Sequence, residues 1–355
     1  MTASPYYIDT FPGREISVNG KKYLYFGGTS YLGLQTNDHF QQIFIKNIQK
    51  YGTCYGASRK SNVRFSIFEA GENKLANLIG SEAGITLSSG YLAGQLACSS
   101  FNKKEYTLFY APHSHPALSL STAKTYATFT ALDIAIREHL SSNKTTTPVV
   151  FMDTIDFSCG NYPSFESLRS LPINDLILVA DDSHGLGILG QDGGGCYTAI
   201  SALAPKELVV CGSLGKGWGI QGGAIFGSKQ RISQFMDTAL FGGASPASPA
   251  SIATFMKAQN SYQEQRTSLK KNIEQFKSNL RTPKNFLFME GHPAFSYSNI
   301  ALTEHLEANR VLVTNFPYPS EDASLMSRIV LSAHHTENDI EQLSSLINSF
   351  QITPQ

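Results

Sequence analysis

The chain has 355 residues, long enough for a large core divided between two lobes. Hydrophobic residues make up 41% and charged residues 16%, a globular composition that excludes intrinsic disorder. Formal net charge is zero, with no basic stripe and no stretch near the ~20 apolar residues of a membrane span, so neither nucleic acid nor membrane is expected as a partner. Met1 to Tyr7 lacks the basic and apolar regions of a signal peptide, and Cys54, Cys98, Cys159, Cys196 and Cys211 form no CxxC, which points to reduced thiols and a cytoplasmic protein. His113 and His115 form an HxH without further ligands, so no metal site is expected.

Residues 22–26 read as a strand leading into a loop at 27–34, and a helix is predicted over 38–50. The glycine-bearing run from Tyr51 to Arg59 breaks that helix. A second helix follows over 66–79, with Phe68, Leu75, Leu78 and Ile79 near helical spacing. Strands and helices then alternate. A strand at 84–87 runs into Ser88-Ser89-Gly90-Tyr91 and a helix to 99; a strand at 106–110 precedes His113 and His115. A short strand at 126–129, a helix at 131–140 and apolar strands at 148–152, 176–180, 208–211 and 223–226 complete the series. Short apolar strands separated by helices imply an α/β fold, a mostly parallel sheet with helices on both faces. Such sheets bind ligands at the carboxyl ends of their strands. Gly90, His115, Asp181 and Lys216 all fall at or just past such ends, so the four are expected to share one site.

After Pro246 the texture changes. A long helix at 249–280, strands at 286–289, 300–302, 311–313 and 329–332, and a last helix at 337–350 capped by Thr336 describe a smaller α+β lobe. The expected organisation is an N-terminal segment, 1–45, packing with the small lobe, a large domain over 46–245 and a small domain over 246–355.

Two segments carry chemistry. Val209-Val210-Cys211-Gly212-Ser213-Leu214-Gly215-Lys216-Gly217-Trp218-Gly219 delivers a hydroxyl and then a lysine from an apolar run. Burial disfavours the ammonium form, and a neutral amine forms a Schiff base with an aldehyde cofactor. Leu176-Ile177-Leu178-Val179-Ala180-Asp181-Asp182-Ser183-His184-Gly185 is a buried-type strand ending in an acid, with a histidine three residues on. Together they point to pyridoxal phosphate (PLP). Lys216 holds the aldehyde, and Asp181 keeps the pyridine nitrogen protonated so that the ring is an electron sink.

On these residues the chain resembles the α-oxoamine synthases, fold-type I PLP-dependent transferases. Tyr31-Leu32-Gly33-Leu34 is similar to the family's Asn-Tyr-Leu-Gly-Leu, with Ser30 in place of the asparagine. The block from Tyr51 to Arg59 is similar to its glycine-rich Gly-Ser-Arg segment, and Ser89-Gly90-Tyr91 to its phosphate loop. The segments around Asp181 and Lys216 resemble its two cofactor signatures, and 328–335 the segment with its carboxylate-binding arginine. The resemblance implies catalytic roles for Lys216, His115, Asp181 and His184. Lys216 moves the substrate α-proton, His115 stacks on the cofactor ring, and His184 bonds the phenolic oxygen or the substrate carbonyl. It implies phosphate contacts from Gly90, Tyr91 and Ser213, a hydroxyl near the cofactor from Ser158, and substrate binding by Arg328 and Ser30. Three further departures stand out. Phe65 replaces a histidine, the acid is missing after Phe157-Ser158-Cys159, and Gly242, Gly243 and Ala244 lack hydroxyls.

The reaction implied is condensation of an amino acid with an acyl thioester, CoA- or carrier-bound, followed by decarboxylation to an aminoketone, in a homodimer. The same fold also hosts aminotransferases and aldolase-type lyases, and a non-catalytic PLP-binding paralogue is a further alternative.

Overall fold

The computed structural model describes residues 5–120, 125–142, 145–318 and 320–350; residues 1–4, the start of the segment read for a signal peptide, lie outside them. The chain forms two compact units, 42–259 and 1–41 with 260–355, where the composition had suggested breaks after 45 and 245.

The first strands, β1 (Glu15–Val18) and β2 (Lys21–Phe26), form a hairpin. Its turn residues Asn19 and Gly20 both adopt positive φ, the geometry that favours an Asn-Gly pair. Next come α1 (Asp38–Tyr51) and α2 (Ser66–Ile79). The larger unit continues through β3 (Ala83–Leu87), α3 (Gly90–Phe101), β4 (Tyr106–Tyr110), α4 (Phe129–Ser141), β5 (Thr147–Asp153), α5 (Glu166–Arg169) and β6 (Ile177–Asp181). It closes with α6 (Tyr197–Ser201), β7 (Glu207–Ser213), β8 (Gly223–Gly227), α7 (Lys229–Met236), α8 (Ala239–Gly243) and α9 (Pro249–Lys257). Its sheet has the order β3-β8-β7-β6-β5-β4. Strands β4 to β7 are parallel, as expected, whereas β8 runs antiparallel to both β3 and β7. Every residue of β6 and β8 is buried, which explains their unbroken apolar character.

The strand expected at 126–129 is not one. Thr125 makes an isolated bridge to Tyr110, and Phe129 is the first residue of α4. The Thr128 hydroxyl accepts from Ala131 N at 3.1 Å, so a helix cap prevails over local β propensity.

The smaller unit adds α10 (Gln259–Asn279), β9 (Leu287–Phe288), β10 (Ala294–Tyr297), α11 (Ile300–Ala308), β11 (Val311–Pro317), β12 (Leu325–Val330) and α12 (Glu337–Ser349). Its sheet has the order β1-β2-β11-β12-β10-β9, parallel only where β2 meets β11. Two expectations fail here. The long helix at 249–280 is α9 and α10, separated at Ala258, whose φ of -92° and ψ of 23° leave the helical region. The strand expected at 300–302 is the first turn of α11. The capping of α12 is as read: Thr336 and Asp339 form a reciprocal capping box.

One buried ion pair ties the larger unit together. Arg59 makes two bonds to Glu72, Nη1 to Oε1 at 2.7 Å and Nη2 to Oε2 at 2.9 Å. Thr86 of β3 donates to the same carboxylate from its amide at 2.7 Å and its hydroxyl at 2.8 Å. Glu72→Ala strands the guanidinium without its partner and should cost about 3–5 kcal/mol of stability, read by denaturant unfolding.

In the smaller unit His335 is buried and neutral: Nδ1 accepts from Ser332 N and Nε2 donates to Tyr25 O, both at 3.0 Å. Burial above all pulls its pKa from 6.5 down to about 4. The unfolded chain therefore binds a proton that the folded one refuses. Stability from this group is complete above pH 6.5 and declines as pH falls towards about 4, by roughly 3 kcal/mol in all. Unfolding free energies of His335→Asn should show a flatter slope in that window.

Candidate active site

Asp153, Asp181 and Cys211 stand at one level on three neighbouring parallel strands, β5, β6 and β7. Asp181 is buried, and its Oδ1 accepts from Ser183 N at 2.8 Å. The next residue points the opposite way, as strand geometry requires. Asp182 is fully buried, accepting from the Thr154 hydroxyl at 2.5 Å and from Cys196 N at 2.8 Å. Burial lifts its pKa to about 6 against the pull of those donors. Of two adjacent acids, Asp182 thus fastens the loop and Asp181 remains at the strand's carboxyl end.

The loop after β6 packs backbone to backbone on the loop that joins β7 to β8. A Cβ at position 217 would lie 2.1 Å from Leu186 O, so Gly217 permits the contact. The approach brings His184 Nε2 to 2.8 Å from Lys216 Nζ, within hydrogen-bonding distance. The ring of Phe157 stands edge-on to His184 at 4.8 Å between centroids. Ser213 links the segments, its amide donating to Ser183 Oγ at 2.8 Å while its own Oγ accepts from Gly215 N at 3.1 Å.

The turn between β3 and α3 presses on the same place. A Cβ at Gly90 would lie 2.7 Å from Ser213 N, and one at Gly223 2.1 Å from Ser89 O. Ser89 caps α3 by accepting from Leu92 N at 3.2 Å. The amides of Gly90 and Tyr91 belong to the helix's first turn, where backbone donors lack intrahelical partners and the dipole favours anions. His115 follows β4. Its amide donates to Asp153 Oδ1 at 2.9 Å and its Nδ1 accepts from Ala117 N at 3.0 Å, which leaves the ring proton on Nε2. Burial lowers its pKa; Asp181 opposes this and Lys216 adds to it.

The structure thus brings Gly90, His115, Asp181, His184, Ser213 and Lys216 together. Ser158 lies on the loop after β5, exposed, donating to Asp156 Oδ2 at 2.8 Å. Asp153 escaped the sequence reading, which ended its strand at Met152; the sole signal was an acid directly after an apolar run. The donor set suits an aldehyde cofactor with a phosphate and a ring nitrogen. It offers an amine on a loop, a carboxylate at a strand end, an imidazole, and helix N-terminal amides beside the amine's own loop.

Two sequence candidates belong to the smaller unit. Arg328 lies on β12, opposite Ser296 and Thr314. Burial depresses its pKa to about 10, opposed by Tyr31 and Tyr318. Ser30 donates from its hydroxyl to Gln35 Oε1. Its segment is joined to the residues beyond β12, since Ser332 Oγ donates to Ser30 O at 2.7 Å and Ala333 N to Tyr31 O at 2.9 Å. Where hydroxyls are missing in the larger unit, Ser58 Oγ donates to Gly242 O at 2.6 Å, and Phe65 joins an aromatic cluster with Tyr51, Tyr55 and Phe68.

The family model for aminotransferase class I and II matches residues 30–347. An 8-amino-7-oxononanoate synthase of Aliivibrio fischeri is 28% identical over 349 residues, covering 93% of this chain and 90% of its own. A serine palmitoyltransferase of Sphingomonas wittichii has the same fold, with a TM-score of 0.79 at 19% identity over 95% of this chain and 89% of its own. Another, from S. paucimobilis and solved with PLP and myriocin bound, gives 0.80 at 17% identity over 96% and 90%. The chain belongs to the aminotransferase class I and II family, and its relatives fit the α-oxoamine synthase branch of that family.

Proposed function

We propose that the chain is a PLP-dependent acyltransferase that condenses an amino acid with an acyl thioester to give an aminoketone. The observation that carries this reading is the Lys216–His184 pair, at 2.8 Å, beside Asp181 at the end of β6. Bound PLP supplies an electron sink for a carbanion at the substrate α-carbon. Lys216 would hold the cofactor's aldehyde and would take the substrate α-proton on Nζ. His184, in hydrogen-bonding reach of that nitrogen, would share its proton and orient it, and would bond the phenolic oxygen or the substrate carbonyl. Asp181 would hold the proton on the ring nitrogen, and His115 would stack on the ring. Amides of Gly90 and Tyr91 and the Ser213 hydroxyl would hold the phosphate, with Ser158 supplying a further hydroxyl. Arg328, with Ser30, binds the amino-acid carboxylate through its fork of donors.

The new carbon–carbon bond forms as the thiol leaves, and loss of carbon dioxide from the resulting β-keto acid gives the aminoketone. We propose further that the enzyme is a cytoplasmic homodimer. Val63 is 72% and Tyr91 58% exposed, apolar area just after the glycine-rich stretch and at the start of α3 that a second copy would cover. Among the described residues no helix is long and apolar enough to cross a membrane.

Thiol release from acyl-CoA, tried with glycine, alanine and serine, tests the reaction; its absence with every acyl donor and amino acid would overturn the acyltransferase reading. Lys216→Ala should abolish the absorbance band above roughly 400 nm expected of a protonated imine and prevent borohydride from fixing the cofactor. Arg328→Ala should raise the half-saturating amino-acid concentration about tenfold to a hundredfold, the loss of a charge-assisted contact of ~1.5–3 kcal/mol, with PLP affinity unchanged. Spectral titration with amino acid and cofactor separates the two effects.

A further inference from the structure

We propose that Asp153 is a positioning residue of this site: from its place beside Asp181, at the same level of the neighbouring strand, it sets His115 through the backbone amide. The inference rests on reading the site as a cofactor site. The two acids are the last residues of β5 and β6 and are register partners. Neighbouring strands lie ~4.8 Å apart, and residues at one level of a parallel pair project to the same face. The backbone at Asp153 is itself fastened, since Asn161 Nδ2 donates to its carbonyl at 2.7 Å and Thr154 N to Asp181 O at 2.9 Å.

His115 is held at two points, by Asp153 Oδ1 on its amide and by Ala117 N on Nδ1. Its ring plane therefore follows from where Asp153 places its backbone. The groups that act on the Asp153 carboxyl are Asp181, Lys216, the His115 amide and Asp156, with the buried Cys211 thiol nearby on β7. Burial, first, and Asp181 push its pKa well above the ordinary carboxylate range, and Lys216 and the amide of His115 only partly oppose them. Two ionised carboxylates so placed would repel. Asp153 is therefore harder to ionise than an ordinary carboxyl, and its Oδ1 acts here as a hydrogen-bond acceptor.

Asp153→Asn keeps a hydrogen-bond acceptor in the same place; Asp153→Ala removes it. Two measurements on the full chain decide the matter: the pH midpoint of the imine band in the holoenzyme, and the Nε2 resonance of His115 in 15N-histidine spectra, which needs no cofactor. The asparagine variant should keep the wild-type midpoint and resonance. The alanine variant should shift the His115 resonance and weaken PLP binding about fivefold to tenfold, as expected for one lost hydrogen bond. If asparagine moves the midpoint and the resonance as far as alanine does, an acceptor at this position does not set the site and the proposal is wrong. An unchanged His115 resonance and PLP affinity in the alanine variant removes the positioning role. Should that variant fail to fold, Asp153→Ser, too short for the same contact, takes its place under the same criteria. A wild-type protein with no imine band counts instead against the cofactor reading, while the His115 resonance still judges Asp153.

Discussion

The candidate site depends on two loops meeting backbone against backbone beyond the ends of β6 and β7. Asp182 makes this contact rigid. Fully buried, it is held by the Thr154 hydroxyl on one side and Cys196 N on the other, so the chain before β6 and the chain after the loop are both tied to one carboxyl. A buried carboxyl without partners would be costly, so the loop is fixed in the single arrangement that satisfies it. With that loop in place, Gly217 lies under Leu186 O and His184 reaches Lys216. The lysine's position is therefore set by main-chain packing, which a long flexible side chain could not achieve alone.

The antiparallel strand adds a second constraint. Had β7 been followed by a parallel neighbour, the connection would have crossed back over the sheet, usually as a helix. β8 instead returns directly along β7, so Lys216 stays in a short loop at the edge where β5 and β6 end. The same strand brings Gly223 against Ser89 O, which places the N-terminus of α3 beside Ser213. One reversal of direction thus positions both the amine and the helix N-terminal amides.

Most of the larger unit was legible because its strands are buried on both faces and stand out as apolar runs: Ile177–Asp181 and Gly223–Gly227 need only be recognised as uninterrupted. The failures are equally physical. Runs of three or four apolar residues do not distinguish a strand from a helix turn, so residues 126–129 and 300–302 were read by β propensity, whereas the structure makes them the entries to α4 and α11. Ala258 is a good helix former, and nothing local announces the break there. Lys216, Asp181 and His184 were readable because each sits in a motif whose spacing carries chemistry. Asp153 was not. Its significance comes from Asp181 and His115, 28 and 38 residues away in sequence, which strand pairing and one loop bond bring to it.

The three carboxyls around this edge show how one sheet end can hold several acids in separate surroundings. Each accepts at least one hydrogen bond from a main-chain amide: Asp153 from His115, Asp181 from Ser183, Asp182 from Cys196. What separates them is surroundings. Asp182 has no access to solvent and two donors, and burial lifts it only to about 6. Asp153 accepts a main-chain amide bond and shares its surroundings with Asp181, so burial and repulsion together raise its pKa well above the ordinary carboxylate range. Two ionised carboxylates at one level of neighbouring strands would repel, which is why Asp181 adds to the upward shift of Asp153. The main-chain bonds do the fastening: Asp181 holds its own loop through Ser183 N, and Asp153 reaches across to the loop after β4 through His115 N, so one sheet end is tied to both loops.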